Sequence, residues 1–307
     1  MQARTVRIGT RGSPLALVQA REARDRLMVA HQLPEAAFEL TVIKTTGDRI
    51  QDRSLAEAGG KGLFTKEIEE ALLRGDIDLA VHSMKDMPTE LPDGLAVAAI
   101  LPREDVRDAF ISLRWPSLSA LPPGARVGTS SLRRGAQVRR LRADLEVIAF
   151  RGNVQTRLAK LQQGIADATF LACAGLRRLG QTDRITQSIG VDDMLPAVAQ
   201  GAIGIEIRAD DASTLRLVAA VDDPPSAIAI ETERAFLARL EGSCRTPIAA
   251  LARLGGDEID FVGEILPPDG STSLKTRRVG PIADRFALAI DAADELKARG
   301  GPGFFMF

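Results

Sequence analysis

The chain has 307 residues, of which 45% are hydrophobic and 26% charged, and its formal net charge is −1. This balance is typical of a globular protein, excludes a fibrous or disordered class, and gives no reason to expect nucleic acid as a partner. The length predicts two or three domains. Because no basic leader and no apolar run of about 18 residues is present, we expect a cytoplasmic protein that does not bind a membrane.

Cysteine and histidine are scarce in the sequence. Cys173 and Cys244 are too few for a disulfide framework and fit a reducing compartment, while His31 and His82 argue against a histidine-rich metal site, so no metal is expected. Arginines far outnumber lysines among the 40 basic residues. Codon bias explains that excess as well as a carboxylate-binding site does.

The first hundred residues alternate between strand and helix patterns, which indicates an α/β domain. Strands are predicted at 5–9, 38–44 and 77–82, and helices at 14–27 and 65–74. Ser13 followed by Pro14 is typical of a helix start. The polar, glycine-bearing stretch 45–62 predicts a mobile loop.

A second α/β unit follows, with strands predicted at 126–128, 145–150 and 168–173 and helices at 132–141 and 154–163. Both units place a glycine and hydroxyl motif between a strand end and a helix start, at 9–13 and at 128–131. Unpaired backbone N–H groups at such helix starts favour anions.

The last part of the chain has a different pattern. We expect a helix at 230–240, strands joined by turns at 255–256 and 267–270, and a helix at 282–297, which together make a small α+β domain. Residues 300–307 are expected to be a frayed tail.

Three groups of residues are candidates for chemistry. Cys244 follows two small residues in a polar loop, which allows a reactive or modified thiol, whereas Cys173 lies in an apolar run and is expected to pack in the core. Lys85 and Asp86 follow an apolar strand, where α/β sheets bind ligands, although a surface ion pair is the plain alternative.

The third group consists of arginines. The run 132–142 fits a carboxylate-binding or solvated helix face better than a nucleic-acid stripe, because it contains no aromatic residue. Arg151 and Arg157 flank another strand-to-helix turn, where they would repel each other unless an anion or an acidic side chain joins them.

Six segments taken in order resemble the porphobilinogen deaminase family over nearly the whole chain. They are the segments 10–17, 59–64, 80–86, 128–134, 151–154 and 240–244. Gly12 and Ser243 differ from the residues often found in that family, which affects only loop detail.

The resemblance implies a transferase that joins four porphobilinogen molecules head to tail, with loss of ammonia, into hydroxymethylbilane for tetrapyrrole biosynthesis. It implies a dipyrromethane cofactor attached through a thioether to Cys244, so that this cysteine anchors the cofactor. It also implies that Asp86 is catalytic, because a carboxylate beside pyrrole N–H groups stabilises the cation that forms.

By the same resemblance, further residues contact the cofactor or the substrate carboxylates. The implied cofactor residues are Ser83, Lys85, Asp86, Thr129, Ser131, Arg133 and Arg134. The implied substrate residues are Arg11, Ser13, Lys61, Phe64, Arg151, Arg157 and Gln200, with Lys61 and Phe64 on a loop that covers the cleft.

The implied fold is two doubly wound domains like those of periplasmic binding proteins, plus a small α+β domain. The expected boundaries are 1–100 with 200–219 for a discontinuous first domain, 101–199 for the second, and 220–307 for the domain that carries the cysteine. A monomer without an obligate protein partner is expected.

Three other functions stay open at this stage. An anion-binding two-lobed protein without catalysis suits the fold but would be expected to be exported. A nucleic-acid binder would use the run 132–142 and show salt-sensitive binding. A cysteine hydrolase would need a histidine near Cys244, a part that His82 could play in space.

Overall fold

The computed structural model describes residues 5–49, 64–242, 246–301 and 304. The chain folds into two units, Met1–Glu104 with Gly201–Ala227 and Asp105–Gln200 with Ile228–Phe307. We call them unit 1 and unit 2. The three-domain boundaries given above remain a prediction.

The strands lie in chain order as follows: β1 (Val6–Arg11), β2 (Phe38–Ile43), β3 (Leu79–Ser83), β4 (Leu95–Ile100), β5 (Asp108–Ser112), β6 (Arg126–Gly128), β7 (Glu146–Ile148), β8 (Ala168–Ala172), β9 (Gln187–Ser188), β10 (Ile203–Arg208), β11 (Ile248–Gly255), β12 (Glu258–Ile265) and β13 (Leu274–Pro281). The α-helices are α1 (Pro14–His31), α2 (Thr46–Arg49), α3 (Lys66–Leu73), α4 (Leu132–Leu141), α5 (Val154–Gln162), α6 (Cys173–Arg178), α7 (Ala212–Ala219), α8 (Pro224–Arg239) and α9 (Arg285–Gly300).

Unit 1 contains a five-stranded sheet in the order β2-β1-β3-β10-β4. Strand β1 is parallel to β2 and β3, whereas β10 is antiparallel to both of its neighbours. Successive side chains of β3 point to opposite faces of the sheet. Leu79 and Val81 therefore pack on the α1 side with Leu27, while Ala80 packs on the α3 side with Ile68.

Unit 2 contains a second five-stranded sheet in the order β7-β6-β8-β5-β9 and a three-stranded sheet in the order β11-β12-β13. In the larger sheet β6 is parallel to β7 and β8, and β5 is antiparallel to β8. The smaller sheet is antiparallel throughout. Phe236 of α8 meets Phe261 of β12 edge to face at 5.2 Å, which joins a helix to this sheet. The predicted fold class, two doubly wound α/β parts and a small α+β part, is confirmed.

Several predicted boundaries differ from the structure. Helix α1 continues to His31 because no helix-breaking residue follows Leu27, and it ends where Gln32 adopts a left-handed φ of 53°. The predicted loop at 45–62 begins with α2, and its residues 50–62 lie outside the described part of the chain. Gly300 belongs to α9 instead of the predicted tail.

Other elements were not predicted at all. The sequence patterns did not indicate β4, β5, β10, α6 or α7. Cys173 is buried, as expected, but it begins α6 instead of ending a strand. Across the residues that the structure describes, none of the helices combines the length and the apolarity needed to cross a membrane.

Candidate active site

The carboxyl end of β3 leads into a single 3-10 turn, Met84–Asp86, which carries the predicted catalytic residue. Two contacts fasten the turn to β10 and to the residue just before it. The Met84 backbone N–H donates to the carbonyl of Ala202 at 3.0 Å. The Met84 side chain also packs directly on Gly204, where an added Cβ would lie 2.1 Å from its sulfur. Asp86 therefore stands on backbone that is tied to the neighbouring strand.

A small pocket of about 60 Å³ opens beside this turn, and all the residues that line it belong to unit 1. It brings together five residues that the sequence predicts for the site: Arg11, Ser13, Phe64, Ser83 and Asp86. Lys85 is half-buried in the same turn but is not among the residues that line the pocket. The predicted Lys61 lies outside the described residues.

Arg11 ends β1 at one wall of the pocket. Its guanidinium carbon lies 4.2 Å from the centroid of the Phe64 ring. This is the distance of a cation–π contact. Ser13 caps α1 by accepting a hydrogen bond from the backbone N–H of Ala16 at 3.3 Å. The pocket thus offers a guanidinium and a helix start as well as the Asp86 carboxylate.

The sequence patterns did not single out two buried polar residues of this pocket. The first is Gln19 on α1, which exchanges hydrogen bonds of 2.9 and 3.0 Å with the Ser83 hydroxyl. A glutamine inside the apolar stripe of a helix, next to the buried Ala20 and Ala23, is the signal that could have revealed it.

His82 is the second, which the sequence offered only as a histidine that could approach Cys244 in a cysteine hydrolase. Its Nε2 lies 3.0 Å from Oε2 of Glu206 on β10, and Glu206 is fully buried. Glu69 of α3 is buried close by; its burial raises the pKa of its carboxyl group, and Glu206 adds to that rise. No sequence pattern signals this cluster, because its residues lie on three separate elements.

In unit 2 the predicted hydroxyl motif stands at the start of α4. Ser131 caps the helix by accepting from the Arg134 backbone N–H at 3.4 Å, and its own N–H donates to the Thr129 hydroxyl at 3.2 Å. Ser130 accepts from the Phe150 backbone N–H at 3.0 Å. Each hydroxyl of the motif therefore helps to fix the turn from β6 into α4.

Arg133 and Arg134 are both buried, and both pair with Asp108 of β5. Arg133 Nη1 donates to Asp108 Oδ2 at 2.7 Å, and Arg134 Nη2 donates to Oδ1 at 2.7 Å. Gln200 Nε2 donates to the same Oδ1 at 2.9 Å. Burial alone would raise the pKa of Asp108, but the two guanidiniums hold it well below its usual range.

This arrangement bears on two predicted cofactor residues. Both guanidiniums bond to groups of the protein itself, and Arg134 Nη1 also donates to the Phe170 carbonyl at 3.1 Å. Arg133 Nε, in contrast, is buried and has no acceptor among the described residues. Asp108 could not be anticipated, because the strand that carries it was not predicted.

The turn from β7 into α5 carries the remaining predicted arginines. Arg157 Nε donates to the carbonyl of Gly152 at 2.8 Å, and Asn153 caps α5 by accepting from the Thr156 N–H at 2.9 Å. Gly152 has a φ of 122°, which favours glycine. Arg151 and Arg157 are half-buried on this turn. Cys244 lies outside the described residues, and those that are described hold no cluster of three metal-binding side chains.

The family models match both parts of the chain. Residues 6–216 match the model described as porphobilinogen deaminase, dipyromethane cofactor binding domain, and residues 227–298 match the model of the porphobilinogen deaminase C-terminal domain. The chain belongs to the porphobilinogen deaminase family.

Individual relatives cover nearly the whole chain. The porphobilinogen deaminase of Paracoccus denitrificans is 60% identical over 300 residues, covering 98% of this chain and 96% of the relative. That of Nitrobacter winogradskyi is 58% identical, covering 97% and 94%. The chloroplastic porphobilinogen deaminase of Pisum sativum is 53% identical, covering 98% and 83%.

Solved structures with remote similarity include an arginine-specific periplasmic binding protein of Salmonella typhimurium. It is 15% identical, with a TM-score of 0.40, and the match covers 73% of this chain and 94% of that one. A probable extracellular amino-acid-binding protein of Bacillus subtilis is 13% identical with the same TM-score, covering 72% and 90%.

Proposed function

We infer that this chain is a transferase that joins four porphobilinogen molecules head to tail into hydroxymethylbilane with release of ammonia, in tetrapyrrole biosynthesis. The observation that carries this conclusion is the pocket of unit 1, where Asp86 shares the walls with Arg11, Ser13 and Ser83, in a chain whose two parts both match the family.

We propose that Asp86 is the catalytic carboxylate. Because the turn is held against β10, the Asp86 carboxylate is already oriented when a cation develops on a pyrrole ring. A charge fixed in advance stabilises a transition state without the cost of reorganising at the moment of reaction. The same oxygens can accept the pyrrole N–H hydrogens and move a proton.

Arg11 is proposed to receive a substrate carboxylate. Porphobilinogen carries an acetate and a propionate, and guanidinium–carboxylate pairs form two parallel hydrogen bonds. Phe64 lies against this guanidinium, so the ring shields one of its faces from solvent. Ser13 adds a helix start, where backbone N–H groups favour an anion.

The residues present fit a dipyrromethane group. When bound through Cys244, it supplies a primer to which new pyrrole units are added. We propose Asp86, Ser83 and Lys85 as residues that hold it. We also propose Arg133 as a cofactor residue, because its buried Nε–H lacks an acceptor among the described residues.

The other proposed contacts in unit 2 follow from its two helix starts. Thr129, Ser131 and Arg134 surround the start of α4, and Arg151 and Arg157 the start of α5. Each start combines backbone donors with nearby positive charge, which suits substrate or cofactor carboxylates. The Arg134 guanidinium itself is bonded to Asp108 and to the Phe170 carbonyl. Gln200, which donates a hydrogen bond to Asp108, is also proposed to bind substrate.

The first experiment is the intact mass of the denatured protein. We expect wild type to exceed its sequence mass by two pyrrole units and Cys244→Ser to show no excess. A wild type without excess mass, even after incubation with porphobilinogen, would count against a covalent primer.

The second experiment measures porphobilinogen consumption by Asp86→Asn. The amide keeps the shape but loses the charge, so we expect a loss of at least about a hundredfold in kcat with primer mass and fold retained. Asp76→Asn, which changes an exposed carboxylate of the same unit, is the matched control and should keep full activity. Equal activity in the two variants would remove the role of Asp86.

Location and assembly are proposed as well. The low cysteine number suits a reducing compartment, and we propose a cytoplasmic monomer without an obligate protein partner. Sedimentation at micromolar concentration tests the assembly, and cell fractionation tests the location.

A further inference from the structure

Hydrogen bonds hold the carboxyl end of β3 on both faces of the sheet. On the α1 face, Ser83 is bonded to Gln19. On the α3 face, His82 is bonded to Glu206. The backbone N–H of the next residue, Met84, donates to the carbonyl of Ala202, the residue just before β10. The turn that carries Asp86 thus begins where three independent contacts converge.

The contact between His82 and Glu206 on the α3 face carries a desolvation cost. Glu206 is completely buried, and its Oε1 has no hydrogen-bond partner in the described part of the chain. Glu69 is buried beside it, also with an unpartnered Oε1. Burying two carboxylates around one imidazole opposes folding unless they are paired and hydrogen-bonded. An apolar trio would pack there at lower cost, so stability alone does not account for these residues.

The β-sheet register explains why Glu206 can act on the turn. In the antiparallel pair of β10 and β3, Gly204 lies opposite His82 and Glu206 lies opposite Ala80. Glu206 therefore reaches His82 diagonally on one face, while Gly204 receives the Met84 side chain. Glu206 and Gly204 of β10 therefore contact His82 and Met84, which both precede Asp86 in the chain.

We propose that His82, oriented by Glu206, is a positioning residue for the turn that carries Asp86. This inference rests on the proposed function of the pocket. His82 lines the same pocket, and its bond to Glu206 fixes the orientation of its ring and the path of the backbone after it. Small displacements of a reacting group, on the order of 1 Å, cost about a hundredfold in rate.

The test compares two buried carboxylates: Glu206 of β10, which contacts His82 near the carboxyl end of β3, and Asp78, which precedes β3. Glu206→Ala removes the grip at the carboxyl end. Glu206→Gln keeps an oxygen acceptor for His82 and nearly the same volume. Asp78→Asn is the matched control, because Asp78 is a buried carboxylate that precedes β3 and bonds to Arg7 at 3.0 Å. If Glu206→Ala fails to fold, Glu206→Met removes the contact while filling the space.

Two readouts are needed. For activity, Glu206→Ala should lower kcat for porphobilinogen by about 10- to 100-fold with little change in KM, Glu206→Gln should recover most of the loss, and Asp78→Asn should lower thermal stability without lowering kcat. For structure, amide hydrogen exchange in a peptide covering 82–87 should speed up in Glu206→Ala and Glu206→Met, but not in Asp78→Asn.

The outcomes separate the two inferences. If exchange at 82–87 is unchanged in the Glu206 variants, or rises equally in Asp78→Asn, the positioning role is refuted whatever the activity shows. If kcat survives in Glu206→Ala, it is refuted as well. If wild type consumes no porphobilinogen, the proposed function fails, and the exchange data still decide whether His82 and Glu206 hold the turn.

Discussion

The substitution Asp108→Asn tests the buried arginine cluster of unit 2 most directly. Asp108 accepts four hydrogen bonds, one from Arg133, two from Arg134 and one from Gln200. Asparagine keeps the volume but removes the charge and turns one acceptor into a donor that faces donors. Two buried guanidiniums would then lack their counter-ion.

The magnitude follows from this geometry. Removing one partner of a buried ion pair costs about 3–5 kcal/mol because the remaining charge stays desolvated. Since Asp108 serves two charges and is itself fully buried, we expect the upper end, about 5 kcal/mol. In a protein of this size each kcal/mol lowers Tm by about 2–4 °C, which predicts a drop of roughly 10–20 °C.

The assay is thermal unfolding, followed by circular dichroism at neutral pH. Asp144→Asn is the matched control, because Asp144 also forms two hydrogen bonds with an arginine of this region, Arg142, but on the surface. Exposed pairs contribute little to stability, so the control should unfold close to wild type.

The dependence on pH gives a second check. The pKa of Asp108 is depressed in the folded protein, so its contribution is complete above the unfolded pKa and fades only as pH falls through the lower folded value. The Tm difference between wild type and Asp108→Asn should therefore persist from pH 8 to about pH 4. A variant that unfolds within about 2 °C of wild type at neutral pH would refute the reasoning.

Two further predictions concern single positions. Burial raises the pKa of Glu69 in the folded protein. Stability should therefore fall as pH rises from the pKa of Glu69 in the unfolded chain through its pKa in the folded protein. Glu69→Gln should remove that loss, so its Tm advantage over wild type should grow between about pH 4.5 and pH 8. Gly128→Ala would place a Cβ 2.5 Å from the buried Phe150 ring, and such overpacking costs about 1–3 kcal/mol. Phe150→Leu in the same chain should recover part of that loss in a thermal unfolding experiment, and a single variant as stable as wild type would contradict the close contact between this strand end and the ring.

The sequence by itself determined the local features of the candidate site. Ser13 and Ser131 cap helices because a short oxygen-bearing side chain after a strand satisfies the first free N–H groups of a helix. The apolar run before Asp86 predicted a strand that would place this carboxylate at the carboxyl end of the strand. These features depend on neighbours within a few residues, so a local pattern reveals them.

Only the tertiary structure decided which distant residues support that site. Strand β10, more than a hundred residues after β3, enters the sheet between β3 and β4 and brings Glu206 to His82. Strand β5 likewise brings Asp108 to the α4 arginines. Pairing between remote segments depends on the summed packing of whole elements and not on any local period, and for that physical reason the partners of the site became visible only in the folded chain.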